Sequence, residues 1–310
     1  MPFNLLTHKS VIVCIIVLWV WSMPALAEKK ANILIVTNSN DEPYQEAIAG
    51  FKGQIGTNSK VEYTEVSLGQ TQAITSKDID HIKPDLIYAL GGEAIKWASV
   101  QAFKIPIVAT MVLKPDVFKQ GNNITGISLG YPLKTQFQWL RKFFPRQTSM
   151  AILFNPSENR TVVEAARQIG QQNGFNLTAI PVETPKELPY ALEQLANNVE
   201  LLLAIPDETV MSVNTAKEVL LASFRNKVPL IGISDNWVKS GALYALSWDY
   251  EDLGRQSAVM AQKILNGAPV QTVSPEFPRK VTYTINTKIS EHMNMDIPVD
   301  ILNNAKLIFN

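Results

Sequence analysis

The sequence predicts an α/β protein of two similar lobes, each a doubly wound parallel sheet with helices on both faces. Three observations carry that expectation. Short apolar runs of strand length alternate with helix-period segments along most of the chain, the grammar of a parallel sheet covered on both sides. The alternation runs once to Ser128 and restarts at Met150. The 310-residue chain also falls in the size range where one core divides into two.

The first segment stands apart. His8 and Lys9 precede an apolar run of eleven from Val11 to Trp21, and Ala25-Leu26-Ala27 forms an A-x-A signal before Glu28. Residues 1–27 therefore read as a cleavable secretory leader. Eleven apolar residues fall short of the ~20 needed to span a bilayer. Cys14 follows Val11-Ile12-Val13 rather than the small residues of a lipoprotein signal, so no lipid anchor is expected. The mature chain would be free in a bacterial periplasm, without cysteine. It would carry 27 basic against 28 acidic side chains, no electrostatic footprint for nucleic acid or anionic membrane.

Each element follows from local pattern. Ala31 to Val36 is a short apolar strand ending in the turn formers Asn38 to Asp41, and Pro43 opens a helix with Tyr44, Ala47, Ile48 and Phe51 at helical spacing. Val61 to Val66 alternates as a strand, Ser76 to His81 is a short helix, and Asp85 to Leu90 is a buried strand. Gly91-Gly92 starts a helix around Ala94 to Val100; Ile105 to Thr110 and Asn123 to Ser128 are the next strands. The second pass holds strands at Met150 to Phe154, Leu177 to Val182, Val199 to Ile205, Pro229 to Ser234 and Ala242 to Leu246. Between them lie helices at Arg160 to Gln172, Lys186 to Asn197 and Asp207 to Phe224. A helix from Tyr250 to Leu265, a strand from Val281 to Ile285 and a short C-terminal helix complete the chain.

In open parallel sheets ligands lie beyond the carboxyl ends of the strands, where helix N-termini offer free N–H groups. Five segments qualify: Asn38 to Tyr44, Gly91 to Glu93, Asn155 to Arg160, Pro206 to Thr209 and Ser234 to Trp237. Each has a plainer role as a strand exit or a helix cap, where Asn, Ser and Asp commonly sit. Tyr44, Trp97, Tyr131, Trp237 and Trp248 are candidate pocket walls or simply core.

Catalytic residue types are scarce. The mature chain has His81 and His292, no cysteine, and no His-x-x-x-His or Cys-x-x-Cys spacing, so no metal site is expected. Neither phosphate-binding glycine motif follows a strand, no nucleotide cofactor is expected, and there is no G-x-S-x-G elbow. Two carboxylates distant in sequence could still meet in a cleft, yet an enzyme is the weaker reading.

Several short stretches occur in the order and spacing of one family: Lys83 to Ile87, Ile105 to Val108, Asn123 to Ser128, Phe154-Asn-Pro-Ser-Glu158, Gly241 to Leu243, and Tyr250 with Leu253 to Gln256 and on to Gly267. The chain resembles the ABC transporter substrate-binding proteins that include tryptophan and tyrosine binders, on the type I periplasmic binding fold. The resemblance covers nearly all of the mature chain. It implies a three-segment hinge at residues near 126–131, 246–250 and 275–281. Lobe one would then comprise 28–128 plus 249–277, and lobe two 129–248 plus 278–310.

Three departures fall on the lobe-one side of the cleft. Glu42-Pro43-Tyr44 stands where the family has a His-Pro pair, Gly91-Gly92 replaces a Thr/Ala element, and Leu113 to Asp116 replaces Thr-Asp-Pro. The implied function is capture of a small polar or amino-acid-like solute for delivery to an inner-membrane ABC permease, by a monomer with no cofactor. Asn155, Ser157 and Glu158 would dock the solute, with Asp207 and Asp235 available to pair with a cation. Ser39, Tyr44, Gly91 and Gly92 would close over it. Service to a sensor kinase or chemoreceptor is the alternative; a periplasmic enzyme and an assembly protein with a degenerate cleft complete the competing readings.

Overall fold

The computed structural model describes residues 30–310 apart from 57–60, 70–74, 103, 114, 120 and 197–198. The leader at 1–27 and Lys114 lie outside the described residues. The first sheet is built from β1 (Ala31–Thr37), β2 (Val61–Ser67), β3 (Leu86–Leu90), β4 (Ile107–Val112) and β5 (Ile124–Ser128). They run parallel in the order β2-β1-β3-β4-β5. Its helices are α1 (Glu42–Ile55), α2 (Ser76–Ile82) and α3 (Gly92–Gln101). Alternation along β1 sorts the faces: Ile33 and Ile35 pack with Ala47 and Phe51 of α1, whereas Leu34 and Val36 pack with Ala94, Ile95 and Ala98 of α3. β4 starts two residues later than its apolar run and continues to Val112 through a bulge, with Met111 at φ 61°.

The second sheet has seven strands in the order β12-β11-β10-β9-β8-β6-β7. They are β6 (Ser149–Phe154), β7 (Asn176–Pro181), β8 (Leu201–Leu203), β9 (Leu230–Gly232), β10 (Tyr244–Ser247), β11 (Thr282–Asn286) and β12 (Leu307–Phe309). One face carries α4 (Leu133–Phe143), α5 (Pro156–Gln172), α10 (Thr287–His292) and α11 (Val299–Asn303). The other carries α6 (Leu188–Glu193), α7 (Ala216–Asn226) and α8 (Asp235–Ser240).

The doubly wound expectation stands, although α8 and the edge strand β12 were not expected, and three further differences bear on the site. β11 runs antiparallel to β10, so this sheet is mixed. α4 escaped the sequence reading although Phe137, Leu140 and Phe143 recur at helical spacing and are all buried. The helix expected from Asp207 begins only at Ala216. The reason is local: the Asp207 carboxylate accepts the N–H groups of Thr209 and Val210, holding residues 207–210 in a tight turn.

α9 (Tyr250–Leu265) returns the chain to the first sheet and packs on α1. A Cβ on Gly254 would stand 2.0 Å from the Ala47 carbonyl oxygen, and one on Gly50 would stand 1.9 Å from that of Glu251. The contact therefore requires glycine on both helices. The chain passes between sheets after β5, after β10 and before β11. Hydrogen bonds lace these crossings. The buried Tyr131 hydroxyl lies 2.7 Å from the Ser247 carbonyl and 3.0 Å from that of Lys280. The Trp248 indole N–H donates to Leu129 at 2.7 Å, and the Ser128 N–H donates to Glu276. Arg279 forms a fork to Asp252 at 2.9 and 2.6 Å. Among the described residues no helix is long and apolar enough to cross a membrane.

Candidate functional site

β5 and β10 both run carboxyl end first into the crossings, and their neighbours β4, β9, β8 and β6 lie parallel to them. The carboxyl edges of the two sheets therefore face each other across the hinge. Ligands bind at such edges, and here two of them share one cleft.

On the first sheet the turn after β1 braces the turn after β3. The Asn38 side-chain oxygen accepts the Ala94 N–H at 2.7 Å, capping α3. Gly91 has φ 92°, and a Cβ there would lie 2.7 Å from the Asn38 side chain. Both facts demand glycine at 91 whatever binds beyond it. Gly92 is exposed, with open space above its Cα. The Ser39 hydroxyl accepts the Asp41 N–H at 3.1 Å. Tyr44 is half-buried on α1; burial, then the neighbouring Asp41 charge, raises its phenol above the usual value.

On the second sheet Asn155 caps α5, its side-chain oxygen accepting the Ser157 N–H at 2.9 Å and the Ser157 hydroxyl at 2.8 Å. The exposed Glu158 carboxylate accepts the Glu208 N–H at 3.2 Å. Asp207 does not match the expectation of an acid available to a cation. It is buried, and its two oxygens accept from four donors: Asn155 N–H at 2.7 Å, the Asn159 amide at 2.9 Å, Thr209 N–H at 3.0 Å and Val210 N–H at 2.9 Å. Its charge is spent on joining the loops after β6 and β8. No helix starts beside it either, which removes the N-terminal dipole expected of Pro206 to Thr209.

Asp235 is placed differently. Its carboxylate accepts the Ser247 hydroxyl at 2.8 Å and the Thr284 hydroxyl at 2.7 Å, and it faces a cavity of about 380 Å³ with walls from both sheets' loops. The same cavity is lined by Glu42, Pro43 and Glu46 of α1, by Ser234 and Asn236, by Trp248 and Tyr250 at the second crossing, and by Lys306 and Leu307. That volume lies within the ~300–1,000 Å³ of small-molecule sites. Burial, followed by the charges of Asp235 and Glu46, pushes the Tyr250 phenol up to about 12. A second, mostly apolar cavity of about 90 Å³ also has Trp248 as a wall, with Leu113, Tyr131, Leu203 and Ile233. Of the candidate aromatic walls, Tyr131 and Trp248 line a cavity; Trp97 and Trp237 pack against the cores.

The structure thus gathers Asn155, Ser157, Glu158 and Asp207 into one cluster, and puts Asp235 in the cavity with the candidate wall Trp248 and parts of two candidate loop segments, joined by Glu46, Tyr250, Lys306 and Leu307, which sequence reasoning does not single out as site residues. Glu42 and Glu46 were findable, being four apart and so on one helix face. Lys306 was not, because nothing local ties it to Trp248. Among the described residues no group of three or more His, Cys, Asp and Glu side chains could hold a metal ion.

Comparison with known proteins agrees with this architecture. Residues 36–308 match the family described as ABC transporter substrate binding protein. The chain belongs to that family. A tyrosine-binding protein of Clostridioides difficile is 26% identical over 226 residues, 69% of this chain and 65% of the relative. An uncharacterized protein of Rickettsia prowazekii is 23% identical over 146 residues, 46% of this chain and 47% of the relative. The chain therefore matches less than two thirds of the length of these curated relatives. Among solved structures, the ligand-free, open form of a substrate-binding protein with adhesive properties from Clostridium difficile aligns with TM-score 0.70 at 22% identity, covering 90% of this chain and 99% of that one. An ABC domain in complex with L-Trp from Streptococcus pneumonia aligns with TM-score 0.61 at 18% identity, covering 91% and 100%. These likenesses establish the fold this substrate-binding protein shares with them.

Proposed function

We propose that the protein is an extracytoplasmic solute receptor. It captures a small polar ligand between its two lobes and delivers it to an ABC permease in the inner membrane. The observation that carries this reading is the 380 Å³ cavity at the facing carboxyl edges, with polar and charged walls drawn from both lobes and from the hinge. The family supports the permease as partner, and the secretory leader read in residues 1–27 supports the periplasm as location. The tyrosine-binding relative and the L-Trp-bound neighbour support an amino-acid-like ligand. In this reading lobe one comprises 28–128 plus 249–277, lobe two 129–248 plus 278–310, and the crossings between them act as the hinge. Asp235, Tyr44, Asn155, Ser157 and Glu158 face the solute, with Ser39, Gly91 and Gly92 on the closing lobe and Asp207 holding the lobe-two loops in place. The protein acts as a monomer.

The test is a thermal-shift screen of residues 28–310 against amino acids, amines, nucleosides, vitamins, sugars and small anions. Ligand at ~100 times its dissociation constant should add about 2.7 kcal/mol of stability. A hit whose binding also shortens the maximum dimension in small-angle scattering supports capture by closure. A flat screen on folded, ligand-free protein would remove the solute-receptor reading.

A further inference from the structure

We propose that the apolar recess walled by Trp248 is the side-chain pocket of the solute, and that it selects an aliphatic amino acid of valine or leucine size over tyrosine and tryptophan. This rests on the solute-receptor reading and names the class of ligand within it. The recess has a volume of about 90 Å³ and lies where the two sheets meet. Leu113 reaches it from the end of β4, Tyr131 and Trp248 from the crossings, and Leu203, Ile231 and Tyr244 from β8, β9 and β10. Its floor, at Leu203, Ile231 and Tyr244, is buried, whereas its rim, at Leu113, Pro206 and Ile233, is open. Among the described residues no charged side chain lines it. The side-chain donors of Tyr131, Gln136 and Trp248 are spent on main-chain carbonyls, the Gln136 amide on that of Tyr131 at 2.8 Å. Walls of this kind gain by taking an alkyl group out of water and have little to offer a charged one.

Size decides between an alkyl chain and an aromatic ring. An apolar cavity of about 150 Å³ takes benzene; at about 90 Å³ this recess is too small for a phenol or an indole, while a short branched chain fits. Its walls resist enlargement, as close-packed interiors do. Tyr244 is stacked on Phe143 with ring centres 3.7 Å apart, and Tyr131 and Trp248 are anchored by the bonds just named. Closure of the lobes carries Leu113 toward the second-sheet walls, which tightens the recess further.

Leu113 is delivered to the rim by an unusual backbone. Met111 has φ 61°, a left-handed conformation uncommon outside glycine, within the irregular stretch that shifts β4 against β5. The Leu129 N–H then donates to the Val112 carbonyl at 2.6 Å, tying the strand end to the first crossing. Leu113 emerges from this joint 51% exposed, a large apolar side chain at the mouth of an apolar recess. Backbone in such sparsely populated regions persists where its surroundings over-determine it, and it clusters at ligand clamps.

The experiment is calorimetric titration of the mature chain, residues 28–310, with alanine, valine, leucine, isoleucine, phenylalanine, tyrosine and tryptophan. Valine, leucine or isoleucine should bind roughly tenfold or more tightly than alanine and than each aromatic amino acid. Leu113→Ala, at a half-exposed position that leaves the fold intact, widens the mouth and should narrow the aliphatic lead over phenylalanine roughly tenfold. Leu113→Trp fills the mouth and should weaken the aliphatic ligands by a similar factor, with melts confirming that both variants are folded. Tyrosine or tryptophan binding as tightly as any aliphatic amino acid overturns the inference and leaves the solute-receptor reading standing. So does a wild-type preference that both substitutions leave unchanged, or a hit in the wider screen from a solute outside this panel with no aliphatic amino acid bound. No binding by this panel or by the wider screen would remove the receptor reading itself, and the inference with it.

Discussion

Replacing Asp207 by alanine should destabilise the protein severely, and the structure allows the loss to be worked out. The carboxylate accepts from four N–H donors. Two of these, on Asn159 and Val210, make buried hydrogen bonds; the two on Asn155 and Thr209 are partly buried and can turn to water. Leaving a buried donor unsatisfied costs about 1–3 kcal/mol, so two of them amount to about 4 kcal/mol. For a chain of this size 1 kcal/mol shifts the melting temperature by about 2–4 °C, which gives a fall of roughly 10 °C. The assay is a circular dichroism melt with urea unfolding alongside, on ligand-free protein. Asp207→Asn, which keeps one acceptor oxygen, should fall between wild type and alanine. A loss below ~1 kcal/mol with the fold retained would refute the argument that this carboxylate is a structural joint.

Other outcomes follow from the same reasoning. Gly254→Ala sets a Cβ 2.0 Å from the Ala47 carbonyl oxygen, so α9 must move off α1; a loss of about 3 kcal/mol or more in urea unfolding is expected. Tyr131→Phe removes a buried hydroxyl that bridges two crossings, and should cost about 1–2 kcal/mol in the same assay while leaving the secondary structure unchanged. The Arg279 fork holds the Asp252 carboxyl below the usual carboxylate range. The stability it contributes is present above the ordinary value of ~4 and lost as pH falls through the depressed one. Arg279→Gln should therefore flatten the acid limb of stability against pH, read from melts between neutral pH and acid.

Much of the fold was legible in local pattern. The run Ala31 to Val36 followed by Asn38 to Asp41 and Pro43 announced a strand, a turn and a helix, because apolar period, turn chemistry and proline placement are properties of neighbouring residues. The helix from Tyr250 to Leu265 was placed to the residue. Where one side chain redirects the chain, local pattern misled. Asp207 closes a turn that delays α7 to Ala216, and the amphipathic segment at Leu133, though preceded by Gly130 and Pro132 and followed by Pro145, opens on no Ser, Thr, Asp or Asn cap.

The site divides along the same line. Sequence placed the candidate residues at strand exits, since a parallel sheet sends its loops to one edge wherever its ligand is bound. It could not say whether a carboxylate there is free. Asp207 and Asp235 look alike as short acids after apolar strands, yet one is saturated by N–H donors from loops up to 52 residues away and the other faces an open cavity. Burial and hydrogen-bond partners are set by contacts between distant segments, and only the packed chain contains them. The cavity itself, assembled from α1, the turn into α8 with the nearby second crossing, and the chain near Lys306, exists for the same reason: three regions far apart in sequence converge only when two sheets turn their carboxyl edges toward one hinge.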